Sequence, residues 1–352
     1  MNIAFRFVLI VSASILSCNQ ALAQQRMPEP NWSRGEALHA AAQVDANVVL
    51  KPLYRMAREG QNERLLESLA EIEQRSEWPI PAREYLLHVF ATGLADLERE
   101  AVGQAVLDYL ASYESRAWVP HEDRPGVGVP LFNIRAAAAG SISEWARQSA
   151  ALEAAALFTD GSANWLDAYL ESDAPGRRGY IDALQNATRD QLDDLGSGAL
   201  HRLPAEPSLT AVSTRIALTL GDTDLFRQSL VSGTGQALAP ALREASRVFG
   251  DDEILAIIAH AIDYAPPGTA ALAMAELARP RLGQSVFEEL LFDTLDNATL
   301  GAAAALLLSS SGDPLIRARL ERLALRDNGL SARRAEVALR AVTENEGTGG
   351  AR

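Results

Sequence analysis

Five histidines (His39, His88, His121, His201 and His260) and one cysteine (Cys18) are the imidazole and thiol groups of this 352-residue chain. They stand far apart in sequence, so none forms a metal-ligand spacing by itself. The chain contains no GxSxG, P-loop, HExxH or CxxC pattern. Its sole lysine, Lys51, follows Val48 by three residues, which excludes an SxxK nucleophile pair. What remains is carboxylate acid and base chemistry, for which the fold would have to gather partners from the 46 Asp and Glu residues. No metal and no cofactor is expected. One local constellation stands out: Trp118, Val119, Pro120, His121, Glu122, Asp123 and Arg124 place an aromatic beside charged groups. Trp118, His121 and Arg124 are therefore candidate contacts for a peptide or glycan. The reading favoured over this is a connector in which Trp118 plugs the helical cap and His121 to Arg124 are solvated. Arg243 and Arg247, with Glu244 between them, form a second candidate surface, for which plain solvation is the alternative.

The elements that must position these groups are helices. Ser33 with Glu36 makes a capping box that opens a helix, which Pro52 should interrupt. Gly60 separates it from the run Asn62 to Arg75, where Leu65, Leu66, Leu69 and Ile72 share a face. Pro79 and Pro81 mark a fresh helix start, continued by Tyr85, Leu86, Val89 and Phe90. A further helix is predicted from Glu98 to Tyr113. The segment Ser115 to Pro130, with three prolines and two glycines, cannot be helical. Beyond it, Leu131, Ile134, Ala138, Ile142, Trp145, Ser149, Leu152 and Ala156 form the stripe of one long helix, about 40 Å at 1.5 Å per residue.

In the second half a glycine returns at Gly161, Gly221, Gly250, Gly283 and Gly312, the last four 29, 33 and 29 residues apart. Such spacing signals a stacked supersecondary unit. Each unit reads as a turn, a leucine-like helix, a short linker and an alanine-rich helix. Ile254 to Ile262 followed by Ala270 to Ala278 shows the plan. The Gly-Asp turns are expected to supply a left-handed stop and an N-cap. A β-branched residue at Gly250 should then destabilise several units together. Aromatic residues divide the chain unevenly: Gln24 to Tyr180 holds five Trp, six Tyr and three Phe, and Ile181 to Arg352 holds one Tyr and four Phe.

At Leu220-Gly221-Asp222, Phe249-Gly250-Asp251, Leu282-Gly283 and Ser311-Gly312-Asp313-Pro314 the chain resembles the HEAT-like repeats, in particular the short class of the phycobilisome lyases. The family's arginine early in the second helix is matched only near Arg333 and Arg334; the preceding unit has Ala302 and Ala303. The resemblance implies an all-α, right-handed α-solenoid of stacked helix pairs with a concave partner-binding surface, and it carries no activity. Glu114-Ser115 matches a dipeptide of lytic transglycosylases, but the downstream sequence lacks the rest of that pattern.

The organisation expected is a signal peptide at 1–23, an irregular α-helical region at 24–158, HEAT-like repeats at 159–343 and a flexible tail at 344–352. Arg6, the apolar run Phe7 to Leu16 and the small residues of Ala21-Leu22-Ala23 support export with a start near Gln24. Ile15-Leu16-Ser17-Cys18 offers the rival of a lipid anchor on Cys18. Loss of Arg6 with the leader would move the net charge from -14 to -15. That acidity argues against nucleic acid as a partner. The expectation is an exported, non-catalytic scaffold in the periplasm or outside the cell that binds a protein or peptide of the bacterial envelope, with no transmembrane segment after signal removal. The alternatives are an envelope enzyme using carboxylates on a glycan, or a HEAT-like lyase or cofactor chaperone.

Overall fold

The computed structural model describes residues 28–160, 164–233, 237–326 and 329–349. The expected leader, Cys18 and Gly161 lie outside them. Among the described residues the chain is almost wholly helical, and its one sheet is a two-stranded hairpin. Two compact units divide at Ala146/Arg147.

The first unit begins with α1 (Arg34–Ala41), opened by the Ser33/Glu36 capping box, and α2 (Ala46–Arg58), capped by Asp45. Pro52 sits inside α2 and does not interrupt it, contrary to the sequence expectation. Its missing N–H costs one backbone bond. The Asp45 cap and the buried side chains Leu50, Leu53 and Ala57 hold the helix together around it. The break falls earlier, between Ala41 and Ala46. Gly60, at φ +67°, ends α2, and Gln61 N–H reaches back to Met56 O at 2.9 Å, closing a Schellman stop. Next come α3 (Asn62–Gln74) and α4 (Ile80–Gly93), the latter with Pro81 in its first turn.

The helix expected from Glu98 to Tyr113 is shorter: α5 covers Gln104–Ser112. Extended backbone at Leu97 and Val102 breaks the run, and Gly103 stands at the N-cap with its N–H on Asn62 Oδ1 at 2.7 Å. A Cβ at Gly103 would meet Asn62 Cγ at 2.8 Å, so a larger residue there would push the Asn62 side chain from its bond to the helix start. The non-helical segment forms the hairpin, β1 (Trp118–Pro120) antiparallel to β2 (Gly128–Pro130), with Val119 opposite Val129. The core gathers Leu53, Leu65, Leu69, Leu86, Phe90, Val106, Leu110 and Ile134. Trp145 Nε1 donates to Leu97 O at 2.7 Å, which satisfies the indole inside that core.

Helix α6 (Ile134–Thr159) is the long helix expected, 26 residues and so about 39 Å. The boundary between the units falls within it. The second unit continues as helix pairs: α7 (Trp165–Glu171) with α8 (Ala174–Ala183), α9 (Arg189–Arg202) with α10 (Thr210–Leu220), and α11 (Thr223–Ser232) with α12 (Leu238–Val248). Then come α13 (Asp251–Tyr264) with α14 (Pro267–Ala273), α15 (Ser285–Thr294) with α16 (Gly301–Ser309), and α17 (Pro314–Ala324) with α18 (Leu330–Gly349). A π turn at Met274–Ala278 and a 3-10 turn at Arg279–Arg281 prolong α14. Helix α18 takes in residues 344–349 of the segment expected as a tail.

First helices pack on first helices from α7 to α15, and second helices on second helices from α8 through α10, α12, the π turn and α16 to α18. The alanines of the second helices, among them Ala270, Ala273, Ala304 and Ala305, are buried, so neighbouring backbones lie close. No pair could bury Ile254, Ile257, Phe287 and Leu291 alone. Each such side chain is worth about 1.5–3 kcal/mol once covered, so the energy resides in the joints between pairs.

Gly221, Gly283 and Gly312 have positive φ, as the turns require. Asp222 and Asp313 cap the next helices, α11 and α17. Gly250 departs from the expectation: at φ −70° and ψ 167° it is the extended N-cap of α13, and Glu253 accepts its N–H at 2.8 Å. The stop after α12 is made by Phe249 in the extended region, so no left-handed residue is needed there.

Arginines clasp successive pairs at the repeat distance. Arg215 meets Glu244 at 2.7 Å, 29 residues on, and Arg243 meets Glu276 at 3.1 Å, 33 residues on. Arg319 grips Glu289 with two bonds of 2.6 and 2.7 Å, 30 residues back, and covers the Phe292 ring at 3.9 Å. Buried Arg281 donates to Asp251 at 2.7 Å and to Ser246 Oγ at 2.8 Å. Arg334 takes the carbonyls of Leu295 and Asn297, both at 2.6 Å.

Candidate functional site

Helical periodicity turns three second helices toward one cleft of the second unit. From α8 it receives Arg178, Ile181 and Asp182; from α10, Ala211, Thr214, Arg215 and Leu218; from α12, Pro240, Ala241 and Glu244. Within each helix these residues are spaced by threes and fours, so each helix presents one face. The cleft has a volume of about 590 Å³, within the range of small-ligand and peptide pockets. Its floor is apolar, formed by Ile181, Ala211, Leu218 and Ala241. An ion pair stands at each end, Arg147 with Asp182 at 2.5 Å and Arg215 with Glu244 at 2.7 Å. These pairs are half-exposed, so each is worth at most about 1 kcal/mol to stability and can exchange partners.

A second cleft of about 480 Å³ lies between α15 and α17, where Asp293 and Asp296 face Arg319, Arg322 and Arg326. Its lining is polar and of both signs, and Arg319 is already committed to Glu289.

The sequence candidates fall in two places. Trp118, His121 and Arg124 share the hairpin of the first unit. Trp118 is half-buried on β1, with its N–H on Asn31 Oδ1 at 2.9 Å and its carbonyl accepting from Asn31 and Trp32 at 3.0 and 3.1 Å. His121 Nδ1 accepts from Asp123 N–H at 3.0 Å, while Arg124 is exposed at the hairpin tip. Arg243 and Arg247 lie on α12, whose Pro240 and Glu244 border the apolar cleft. Arg243 is paired with Glu276, and Arg247 is exposed one turn beyond Glu244.

No protein-family model matches this sequence, and neither the curated proteins nor the solved structures contain a match. The site is therefore argued from its own geometry. Arg147, Arg178, Asp182 and Arg215 were missed in the sequence because each is an isolated charge on a surface helix. The recurrence of an acid about 30 residues from an arginine was the signal that could have found Arg215 and Glu244.

The first unit holds the most perturbed carboxylate. Glu84 on α4 is fully buried, and its Oε1 accepts from Arg116 N–H at 2.5 Å while its Oε2 accepts from Ala117 N–H at 3.3 Å. Burial pushes its pKa up to about 7, against the opposing pull of the Arg116 and Ala117 N–H groups. Nearby Glu73 receives Tyr109 OH at 2.7 Å and Arg116 at 2.6 Å. Burial also raises the Tyr109 and Tyr113 hydroxyls above the usual range. This cluster joins two carboxylates, yet Glu84 spends both oxygens on the backbone that enters the hairpin, and none of the clefts described above opens onto it. Its chemistry is that of an anchor. Among the described residues no group of three or more His, Cys, Asp or Glu side chains could hold a metal, and no helix is long and apolar enough to cross a membrane.

Proposed function

We propose that this chain is an exported, non-catalytic α-solenoid of right-handed, HEAT-like helix pairs that binds a protein or peptide partner in the bacterial envelope. The observation that carries the reading is the apolar cleft on α8, α10 and α12, framed by half-exposed ion pairs. Row-on-row packing of first and second helices supports the solenoid, since a face built from successive second helices is where such an array offers a continuous surface. The leader-like residues before Gln24 support export. Buried alanines in the second helices keep the cleft floor smooth, which suits an extended or helical segment better than a small compact metabolite.

A photo-crosslinking residue at Ala211, on the cleft floor, is expected to trap a discrete adduct in envelope extracts, and one at exposed Thr219 on the same helix is not. The adduct should disappear when Ile181→Arg intrudes on the floor. Equal labelling from both positions, or persistence in the Ile181→Arg variant, would sink the reading. An intact-mass measurement of the mature chain tests the compartment separately: a start at Gln24 agrees with soluble export, and a lipidated Cys18 overturns it.

A further inference from the structure

We infer that the occupant of this cleft is an extended acidic peptide segment whose apolar side chains lie on the Ile181–Ala211–Leu218 floor and whose carboxylates meet the arginines of the rim. The inference rests on the partner-binding reading and adds the chemistry of the partner. Three facts support it.

The first is local charge. The cleft lining holds Arg147, Arg178 and Arg215 against Asp182 and Glu244, and α12 continues with Arg243, paired with Glu276, and exposed Arg247. In the lining, guanidiniums outnumber carboxylates three to two on a chain whose net charge is -14. An acidic ligand finds here a local excess of cations opposite in sign to the chain as a whole.

The second is the kind of cation. Every basic group on the face is an arginine, whose planar fork accepts a carboxylate through two parallel bonds. The half-exposed Arg147–Asp182 and Arg215–Glu244 pairs are weakly held, so an incoming carboxylate can share their guanidiniums without breaking a buried pair.

The third is dimension. Packed helices lie about 8–10 Å apart, and an extended chain rises about 3.3 Å per residue, so a peptide crossing α8, α10 and α12 advances about three residues per helix. A segment of roughly six to nine residues therefore spans the floor, alternating inward apolar side chains with outward ones that reach the rim. Arg178 on α8 and Arg247 on α12 are both exposed and stand on the first and last helices that the segment crosses.

The test uses the full-length mature chain and three labelled peptides of about nine residues that share the same leucines and differ only in carrying Glu, Gln or Lys between them. Fluorescence anisotropy at low ionic strength should rank Glu above Gln above Lys, with Glu over Lys by about tenfold and the gap closing near 0.5 M salt. The double variant Arg178→Glu/Arg247→Glu, at two exposed positions, should reverse the ranking, with far-UV circular dichroism confirming that it is folded. Ala211→Trp, which fills the floor, should abolish binding of all three. Glu and Lys peptides that bind within about twofold of each other, or a Lys peptide that binds best, would overturn the acidic assignment and leave the groove standing. Binding of every peptide unaffected by Ala211→Trp, or no binding by any, would overturn the groove reading as well.

Discussion

Gly179→Ala gives the most direct test of how the second unit is assembled. Gly179 lies on α8 where it crosses α6, and a Cβ there would stand 2.1 Å from Arg147 O, 2.8 Å from Ala151 N and 3.0 Å from Ala150 Cβ. Ordinary contact begins near 3.4 Å, so the shortfall against the Arg147 carbonyl is about 1.3 Å, and two of the three obstacles are backbone that cannot rotate aside. The helices must part. A gap of that size forfeits more than half of each dispersion contact across the crossing, and overpacking of this kind costs about 1–3 kcal/mol, here at the upper end because backbone is struck. Alanine returns up to about 1 kcal/mol through helix propensity. The net expectation is a loss of about 2 kcal/mol, or a melting temperature about 4–8 °C lower for a unit of this size. The movement also separates Arg147 from Asp182 and loosens Tyr180, whose ring stands 5.1 Å from buried Trp165. Differential scanning calorimetry with near-UV circular dichroism reads both effects. A Gly179→Ala protein as stable as the parent, with unchanged aromatic signal, would refute the claim that the crossing is set by backbone contact.

Three further outcomes rest on the same physics. Gly250→Thr should be neutral or slightly stabilising, since φ −70° suits any residue and threonine is an N-cap former, whereas Gly221→Thr at φ +69° should cost about 2 kcal/mol; equal urea midpoints would contradict this. Glu84 has its folded pKa raised to about 7 from an ordinary 4.5, so its contribution is complete below about pH 4.5 and is lost as pH rises through about 7, roughly 3 kcal/mol in all. Glu84→Gln should therefore be more stable than the parent at pH 8 and gain little at pH 4.5, and a difference independent of pH would rule out a buried neutral carboxyl. Arg281→Met keeps the buried stem but removes the bonds to Asp251, Ser246 and Leu277, for an expected loss of about 2 kcal/mol by denaturant titration; no change would show that the clasp is ornamental.

The helices were legible because apolar spacing and caps act locally. Ser33/Glu36, Asp222 and Asp313 appear in the structure as the sequence implies, while the stripe of the long helix holds only at Ile134, Ala138 and Trp145: Ile142 and Leu152 are exposed, and Ala150 and Ala154 are buried in their place. Misreadings arose where a distant residue decides. Pro52 is carried by tertiary burial of its helix, and Gly103 breaks one because Asn62, 41 residues away, sits against it. The hairpin of Trp118–Pro120 with Gly128–Pro130 was legible only as a non-helical segment, because its three prolines and two glycines leave no strand alternation to read, and the Asn31–Trp118 bond that pins it spans 87 positions. The cleft was half visible. Arg243 and Arg247 could be chosen as a polar helix face, but the cleft floor is made of two alanines, a leucine and an isoleucine that look like any core until the third helix is in place.

The π turn at Met274–Ala278 lies in the longest of the helix pairs bounded by the recurring glycines. The interval from Gly250 to Gly283 is 33 residues, against 29 on either side. A π turn takes more than four residues per revolution, so it takes up about one residue of that surplus within the helix. It also widens the backbone just ahead of Pro280, whose ring would strike the carbonyl four residues earlier in a regular helix. Each added or deleted residue in this stretch would swing the chain beyond it by about 100°, so Arg281 meets Asp251 and Ser246 at only one setting of the winding. The irregular turn therefore sets the phase at which this helix hands the chain on to α15: a single-residue change here would carry Arg281 away from Asp251 and Ser246.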